Sequence, residues 1–270
     1  MIARDATVSP AARNLISIVI PAWREEGRVG RTVRAVRAAL DARPELCAEV
    51  LVVDDGSPDG TAREAEAAGA RVLVLPRNLG KGGALEAGFR AAQGDVLVML
   101  DADLAETAGE GLSLLEPVLA GRADLTIGAF IHAPDAVEAA GASGASPADD
   151  TIPSVAQIGQ GGRRKTYSGG FGLVQNFARW AGRRWGGPSL HSPISGQRAL
   201  TRAAWEKIGH LDRAAAGLEV GMNLDAARAG LRIEEVPVRM RHRATGRGWA
   251  GWRHRARQGA AVLRALLRRL

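Results

Sequence analysis

An α/β fold with a mostly parallel central sheet flanked by helices is what this sequence predicts, on three observations. Apolar runs of strand length recur at Leu15 to Ile20, Val50 to Val53 and Val96 to Leu100. They lack polar alternation, which suits strands buried on both faces of a parallel sheet. Segments of helical spacing separate them, the order of βαβ units. Two of the runs also end in carboxylates, Asp54-Asp55 and Asp101-Ala102-Asp103, at strand ends where open sheets of this class place ligands.

Taken in order, the first strand, LISIVI, is stopped by Pro21. Arg28 to Leu40 sets Val29, Val33, Val36 and Leu40 against arginines, a helical period. Val50 to Val53 is the second strand. Gly56-Ser57-Pro58-Asp59-Gly60-Thr61 is dense in turn and helix-start residues. A short helix through Ala68 leads to a third strand, Arg71 to Leu75, and then to the loop Asn78-Leu79-Gly80-Lys81-Gly82-Gly83 and a helix from Ala84 to Ala92. After the strand that ends in Asp101, a helix is expected near Gly111 to Leu119 and a strand at Asp124 to Ala129. Residues 133 to 161, rich in Ala, Gly, Ser, Pro and Asp, read as a mobile insertion. Helices are expected at Gly170 to Trp185, Arg202 to Ile208 and Val220 to Ala229, with a loop at Pro188 to Gly196, a strand at Arg232 to Val238 and a last helix from Trp249 to Leu270. The organisation is an N-terminal tail (1–14), a first half (15–130), an insertion (131–165), a second half (166–248) and a C-terminal helix (249–270).

Composition narrows the function classes. A single cysteine, Cys47, excludes a disulfide framework and a cysteine-based zinc site. No stretch reaches the ~18 uninterrupted apolar residues of a membrane span. MIARDATVSPAARN carries no apolar leader core, so the expected location is the cytoplasm. The net charge is +7, but beyond Glu235 there are ten arginines and no carboxylate. The preceding body is therefore net acidic, and a nucleic-acid footprint over the body is not expected.

Four loops fall on one rim: Pro21 to Glu26, Asp54 to Ser57, Asp101 to Asp103, and Asn78 to Gly83 opening a helix. Glycines let backbone approach a ligand, and a helix N-terminus with Lys81 favours an anion. Asp101 and Asp103 offer hard oxygens suited to Mg²⁺ or Mn²⁺. Taken alone, that pair also fits a polar strand exit that caps the next helix, and Asp55 and Ser57 also fit turn formation and helix capping. No GxGxxG follows the first strand, and Gly80-Lys81-Gly82 lacks the Walker spacing. A dinucleotide fingerprint and a P-loop are thus both missing, and the rim matches the needs of a nucleotide diphosphate.

The set SIVIPAWREE, VLVVDDGSPDGTA, RNLGKGGALEAGF and GDVLVMLDAD resembles glycosyltransferase family 2 and its Rossmann-like GT-A fold. The resemblance implies transfer of a sugar from a nucleotide sugar with Mg²⁺ or Mn²⁺. It puts Pro21, Ala22 and Glu25 against the nucleoside, Asp54 on the base with Asp55 nearby, and Lys81 near base or phosphate. Asp101, beside Ala102, would bond ribose or sugar, and Asp103 would ligate the metal. Ser195-Gly196-Gln197-Arg198-Ala199 resembles a segment of dolichyl-phosphate sugar transferases and of glucosyl-3-phosphoglycerate synthases, on the acceptor side. Gly217 to Gly221 and Arg239 to Arg243 are more like the synthases. That likeness makes Glu219 the acceptor- or sugar-contacting carboxylate, the one nominated as general base, and His242 a further metal ligand. A surface or phosphate-facing role suits His242 equally.

Where the synthases present Arg and Thr to phosphoglycerate, this chain has Gly169-Gly170-Phe171-Gly172-Leu173, without a charged grip. On a helical wheel Trp249, Trp252, Ala256, Ala260, Leu263 and Leu267 share an arc beside Arg253, Arg257, Arg264 and Arg268. Such a helix can lie on an anionic bilayer, peripheral at the inner membrane face, or dock on the body or on a partner in a homodimer. The function expected is hexose transfer from a nucleotide sugar, UDP-linked by resemblance of the second half, to a lipid-linked or cell-envelope acceptor. The alternatives are a soluble glucosyl-3-phosphoglycerate synthase-like enzyme and a non-catalytic nucleotide-sugar-binding protein.

Overall fold

The computed structural model describes residues 15–130, 190–209, 211 and 217–241. The expectations for residues 133–161, 169–185, His242 and the helix 249–270 lie outside the described residues. Seven strands form one sheet: β1 Ile16–Ala22, β2 Ala48–Asp54, β3 Arg71–Val74, β4 Val96–Met99, β5 Leu125–Phe130, β6 Arg198–Thr201 and β7 Ile233–Val238. Their order across the sheet is β3-β2-β1-β4-β6-β5-β7. β1 pairs in parallel with β2 and β4, β2 with β3, and β5 with β7. β6 alone is reversed, antiparallel to both β4 and β5. The fold class is as expected from the sequence, with both halves of the chain contributing to one sheet.

The helices are α1 Val29–Asp41, α2 Thr61–Ala67, α3 Gly80–Ala91, α4 Leu115–Leu119, α5 Arg202–Ile208 and α6 Leu218–Arg228, with a 3₁₀ segment at Ala105–Leu114. The strand period of two divides the core between two faces. Ile16, Ile18 and Ile20 pack with Val33 and Val36 of α1 and with Leu112. Val19, Leu97 and Met99 pack on the other side with Leu85 and Phe89 of α3 and Met222 of α6. Both faces are covered, which is why the strands read as continuous apolar runs.

Three differences from the sequence expectation have physical reasons. β6 lies where Arg198 to Thr201 had been given no strand. A four-residue strand between a loop and a helix leaves too little pattern to read. The glycine loop is shorter than expected, because α3 already begins at Gly80. Three glycines in four residues argue against helix by propensity, but Asp55 overrides this by accepting from the backbone N–H groups of Leu79 (2.7 Å) and Gly80 (2.8 Å). The helix expected near Gly111 to Leu119 is α-helical only from Leu115, the preceding turns being 3₁₀. Among the described residues, no helix is long and apolar enough to cross a membrane.

Two helix ends are satisfied from a distance. No side chain caps α1 locally; the carboxylate of Glu64, on α2, accepts from the N–H groups of Gly27 and Gly30. The C-terminal end of α3 is closed by Arg202, the first residue of α5. Its guanidinium donates to the carbonyls of Phe89 (3.3 Å), Ala92 (2.8 Å) and Gly94 (2.8 Å). Arg202→Ala strands three carbonyls at a half-buried junction. It is expected to cost about 1.5–3 kcal/mol, read as a lower urea midpoint at unchanged m-value.

Candidate active site

All strands but β6 point their C-terminal ends to one edge, and the reversed β6 brings its N-terminal end, Arg198, to the same edge opposite Met99. The loops after β1, β2 and β4 and the loop before β6 therefore converge. β1 sends its connection toward β2 on one side while β4 lies on the other, the switch point at which open α/β sheets bind ligands.

Ala22 ends β1 in register with Asp54 at the end of β2, and the Asp55 N–H donates to the Ala22 carbonyl (2.8 Å). Pro21 precedes it at the same strand end. Glu25 accepts from Arg28 Nε at 2.6 Å, while its own N–H donates to Thr61 Oγ1. Asp54 and Asp55 are both buried. Asp54 Oδ1 accepts from the Ser57 N–H (2.9 Å), and the Ser57 hydroxyl accepts from the Arg24 N–H (3.0 Å). Asp55, capping α3, has its pKa raised by burial and by Asp54 beside it, with the Leu79 and Gly80 N–H groups opposing.

The centre of the rim is an ionic chain. Lys81, in the first turn of α3, reaches Asp101 Oδ1 at 2.7 Å and Glu219 Oε1 at 3.1 Å. Burial works against the charge on Lys81, and the two carboxylates overcome it, holding the ammonium above its ordinary range. Gln197 makes a reciprocal pair with Asp101: its amide N–H donates to Oδ2 (2.8 Å), and its oxygen accepts the Asp101 backbone N–H (3.0 Å). Gly196 completes the enclosure. A Cβ there would stand 2.6 Å from Lys81 Nζ and 2.8 Å from Asp101 Oδ2, so a larger residue would make the ends of these two side chains shift.

Arg198 faces inward and is fully buried. Its guanidinium donates to the Ser195 carbonyl (3.0 Å), Asn223 Oδ1 (2.6 Å), the Glu219 carbonyl (3.1 Å) and the Pro193 carbonyl (3.5 Å). Burial pushes it down to about 10, with Glu219 and Glu235 opposing, so it stays charged at neutral pH. Gln197 and Arg198 were expected on the acceptor side. The structure buries both, as the residues that hold Asp101 and the Glu219 turn in place. The nearly buried Ser195 accepts from the Gln197 N–H through its hydroxyl (3.4 Å).

Asp101 and Asp103 face different neighbours. Asp103 borders an open cleft of about 660 Å³, which Glu26, Arg28, Arg31, Glu106 and Arg241 also line. The Arg28 guanidinium is held above its ordinary range, chiefly by its hydrogen bond to Glu25 and against burial, with Asp103 and Asp59 adding to it. Among the described residues no three His, Cys, Asp or Glu side chains are grouped to hold a metal ion. The donor set nonetheless fits a cation held largely by its substrate, since Mg²⁺ commonly takes one or two carboxylates and completes its shell with phosphate oxygens and water. Asp103 is a carboxylate on that cleft which could serve as one such ligand, and His242 lies outside the described residues.

Two residues that matter to this geometry escaped the sequence reading, Thr32 and Asn223. Thr32 had a visible signal, since it stands on the Val29–Val33–Val36 side of α1, where a hydroxyl needs a partner. Asn223 sits in a helix buried on most sides, and no periodicity singles it out.

Comparison with known proteins places the chain in a family. The family described as glycosyl transferase family 2 matches residues 17–209. Glycosyltransferase AglD of Haloferax volcanii is 31% identical over 242 residues, spanning 87% of this chain and 34% of that protein. Undecaprenyl-phosphate 4-deoxy-4-formamido-L-arabinose transferase of Aeromonas hydrophila is 39% identical over 113 residues, 40% of this chain and 34% of that protein. The chain thus spans about a third of the length of these curated relatives. Among solved structures, glucosyl-3-phosphoglycerate synthase of Mycobacterium tuberculosis superposes with a TM-score of 0.66 at 24% identity, over 95% of this chain and 80% of that one. The same enzyme in complex with Mn²⁺, uridine diphosphate and phosphoglyceric acid gives 0.64 at 23%, over 94% and 79%. Those two likenesses speak for the fold. With a family match across most of its length, the chain belongs to glycosyl transferase family 2.

Proposed function

We propose that this chain transfers a hexose from a nucleoside-diphosphate sugar, UDP-linked, to a lipid-linked phosphate acceptor, with Mg²⁺ or Mn²⁺ bound alongside the donor. The observation that carries this is the Lys81–Asp101–Glu219 chain at the switch point, with Asp54 at the neighbouring strand end and Asp103 on the adjoining cleft. The lipid acceptor is supported by the curated relative named for undecaprenyl phosphate.

In this reading Pro21, Ala22, Glu25 and Asp54 receive the nucleoside, and Asp101 orients ribose or sugar through its oxygens. An acceptor oxygen attacks the anomeric carbon, and the bond from that carbon to the β-phosphate oxygen breaks. Negative charge then grows on the departing diphosphate, and the Lys81 ammonium lies where it can stabilise that charge. A divalent cation at Asp103 would neutralise the same diphosphate. A phosphate acceptor is already a nucleophile. A hydroxyl acceptor would need Glu219 to take its proton, and the Lys81 contact holds that carboxylate in place.

The test is thermal unfolding of the full chain with UDP, GDP and their hexose conjugates, each with and without Mn²⁺, followed by transfer of labelled sugar to undecaprenyl phosphate or to 3-phosphoglycerate. At a hundredfold excess over Kd, a bound ligand adds about 2.7 kcal/mol of stability. Mn²⁺-dependent stabilisation by UDP and label in the lipid phase are expected. Label in glycosyl-phosphoglycerate would assign the acceptor to the small-molecule class. No nucleotide binding under any condition would overturn the proposal.

A further inference from the structure

Thr32 is fully buried on α1, and its hydroxyl reaches out of its own helix to the loop that carries Asp103. The O–H donates to the Ala102 carbonyl at 2.7 Å, and the oxygen accepts the Ala105 N–H at 2.9 Å. A hydroxyl has one proton to donate. Spending it on Ala102 forgoes the bond to the carbonyl four residues back that a helical threonine usually makes. Asp103 and Leu104 lie between the two bonded residues, so one oxygen closes a short ring around Asp103. Ala105 needs such a hold, because its φ of +48° is in the left-handed region that alanine rarely adopts. Leu104 is buried beneath the loop, and the Thr107 hydroxyl donates to its carbonyl at 2.8 Å. α1 is in turn fixed at its start by Glu64.

We propose that Thr32 is a positioning residue for Asp103. Its hydroxyl fixes the backbone on both sides of that carboxylate and so sets how well the protein holds the divalent cation that accompanies the donor. This rests on reading Asp103 as the carboxylate toward that cation. Thr32 sits on the buried face of α1, and valine there would lack both hydrogen bonds.

The test uses the full chain and its Thr32→Val, Thr32→Ser and Asp103→Ala variants. Mn²⁺ binding in the presence of UDP is measured by calorimetry or by the spin resonance of free Mn²⁺, beside each variant's melting temperature. Thr32→Val is expected to weaken Mn²⁺ binding about tenfold, beyond what its fall in melting temperature accounts for at the assay temperature, where it remains folded. Thr32→Ser, which keeps both hydrogen bonds, should bind within about twofold of the unmodified chain. Unchanged Mn²⁺ affinity in Thr32→Val overturns the proposal alone. Should that variant fail to fold, Thr32→Ala is measured in its place at a temperature where it remains folded, weakened Mn²⁺ binding being expected and unchanged binding overturning the proposal. If Asp103→Ala binds Mn²⁺ like the unmodified chain, or if the unmodified chain binds none with UDP, the reading of Asp103 itself is wrong.

Discussion

Arg198→Met should lower folding stability by about 3 kcal/mol and loosen the Glu219 side of the site. Two effects compete. Removing the guanidinium relieves the cost of a fully buried charge, which shows in its depressed pKa of about 10. It also strands the Ser195 carbonyl and the Asn223 side-chain oxygen, and takes one donor from the Pro193 and Glu219 carbonyls, which keep others. Each orphaned buried group costs about 1–3 kcal/mol. Asn223 keeps one bond, its amide donating to Pro193 at 2.8 Å, but its oxygen loses the short contact. Two orphaned acceptors and two weakened ones outweigh the relieved charge, so destabilisation wins. Arg198→Lys should do little better, because an ammonium on a single stem cannot span the same fork. The check is a urea melt for each variant at constant m-value. A methionine variant as stable as the unmodified chain would mean that water replaces the guanidinium at these acceptors.

Arg198 also shows what sequence can and cannot reveal here. The buried strands, the carboxylates at their ends and the βαβ order were legible because burial on both faces writes itself as continuous apolar runs. Ile18, Val52 and Val98 needed no tertiary knowledge to be placed. Local signals also placed the carboxylates, since a strand that stops at Asp54-Asp55 or Asp101-Ala102-Asp103 carries them to the C-terminal edge of the sheet. What stayed hidden is held together by residues far apart in sequence. Gln197 clasps Asp101 from 96 positions away, Arg202 caps α3 from more than a hundred, and Thr32 pins the Asp103 loop from 70. Their types are ordinary in a sequence, and only the sheet order that sets β6 against β4 gives them partners. The inward turn of Arg198 is hidden for the same reason, because nothing beside it in the chain marks its strand as central.

Lys81→Met should reduce kcat/KM by about 10²–10³ while shifting the melting temperature little. The stability effect is small because the Lys81 side chain, although partly desolvated, is still about one-third exposed, and ion pairs that water reaches contribute little. The functional effect is large because of the charge left behind. Asp101 and Glu219 now share one cation. Without it, an incoming diphosphate meets two carboxylates here and a third at Asp103, and like charges about 4 Å apart repel by roughly 4 kcal/mol at an effective dielectric of about 20. Lys81→Arg, which keeps the charge, should retain far more activity than the methionine variant, although its planar fork replaces a point charge. Salt separates electrostatics from shape. If repulsion is the cause, the UDP-binding defect of Lys81→Met should shrink as ionic strength rises from about 0.01 M, where the Debye length is about 30 Å, to 1 M, where it is about 3 Å. A defect independent of salt, accompanied by a lowered melting temperature, would instead make Lys81 a strut between α3 and α6, and the diphosphate would have to find its positive charge elsewhere on the rim.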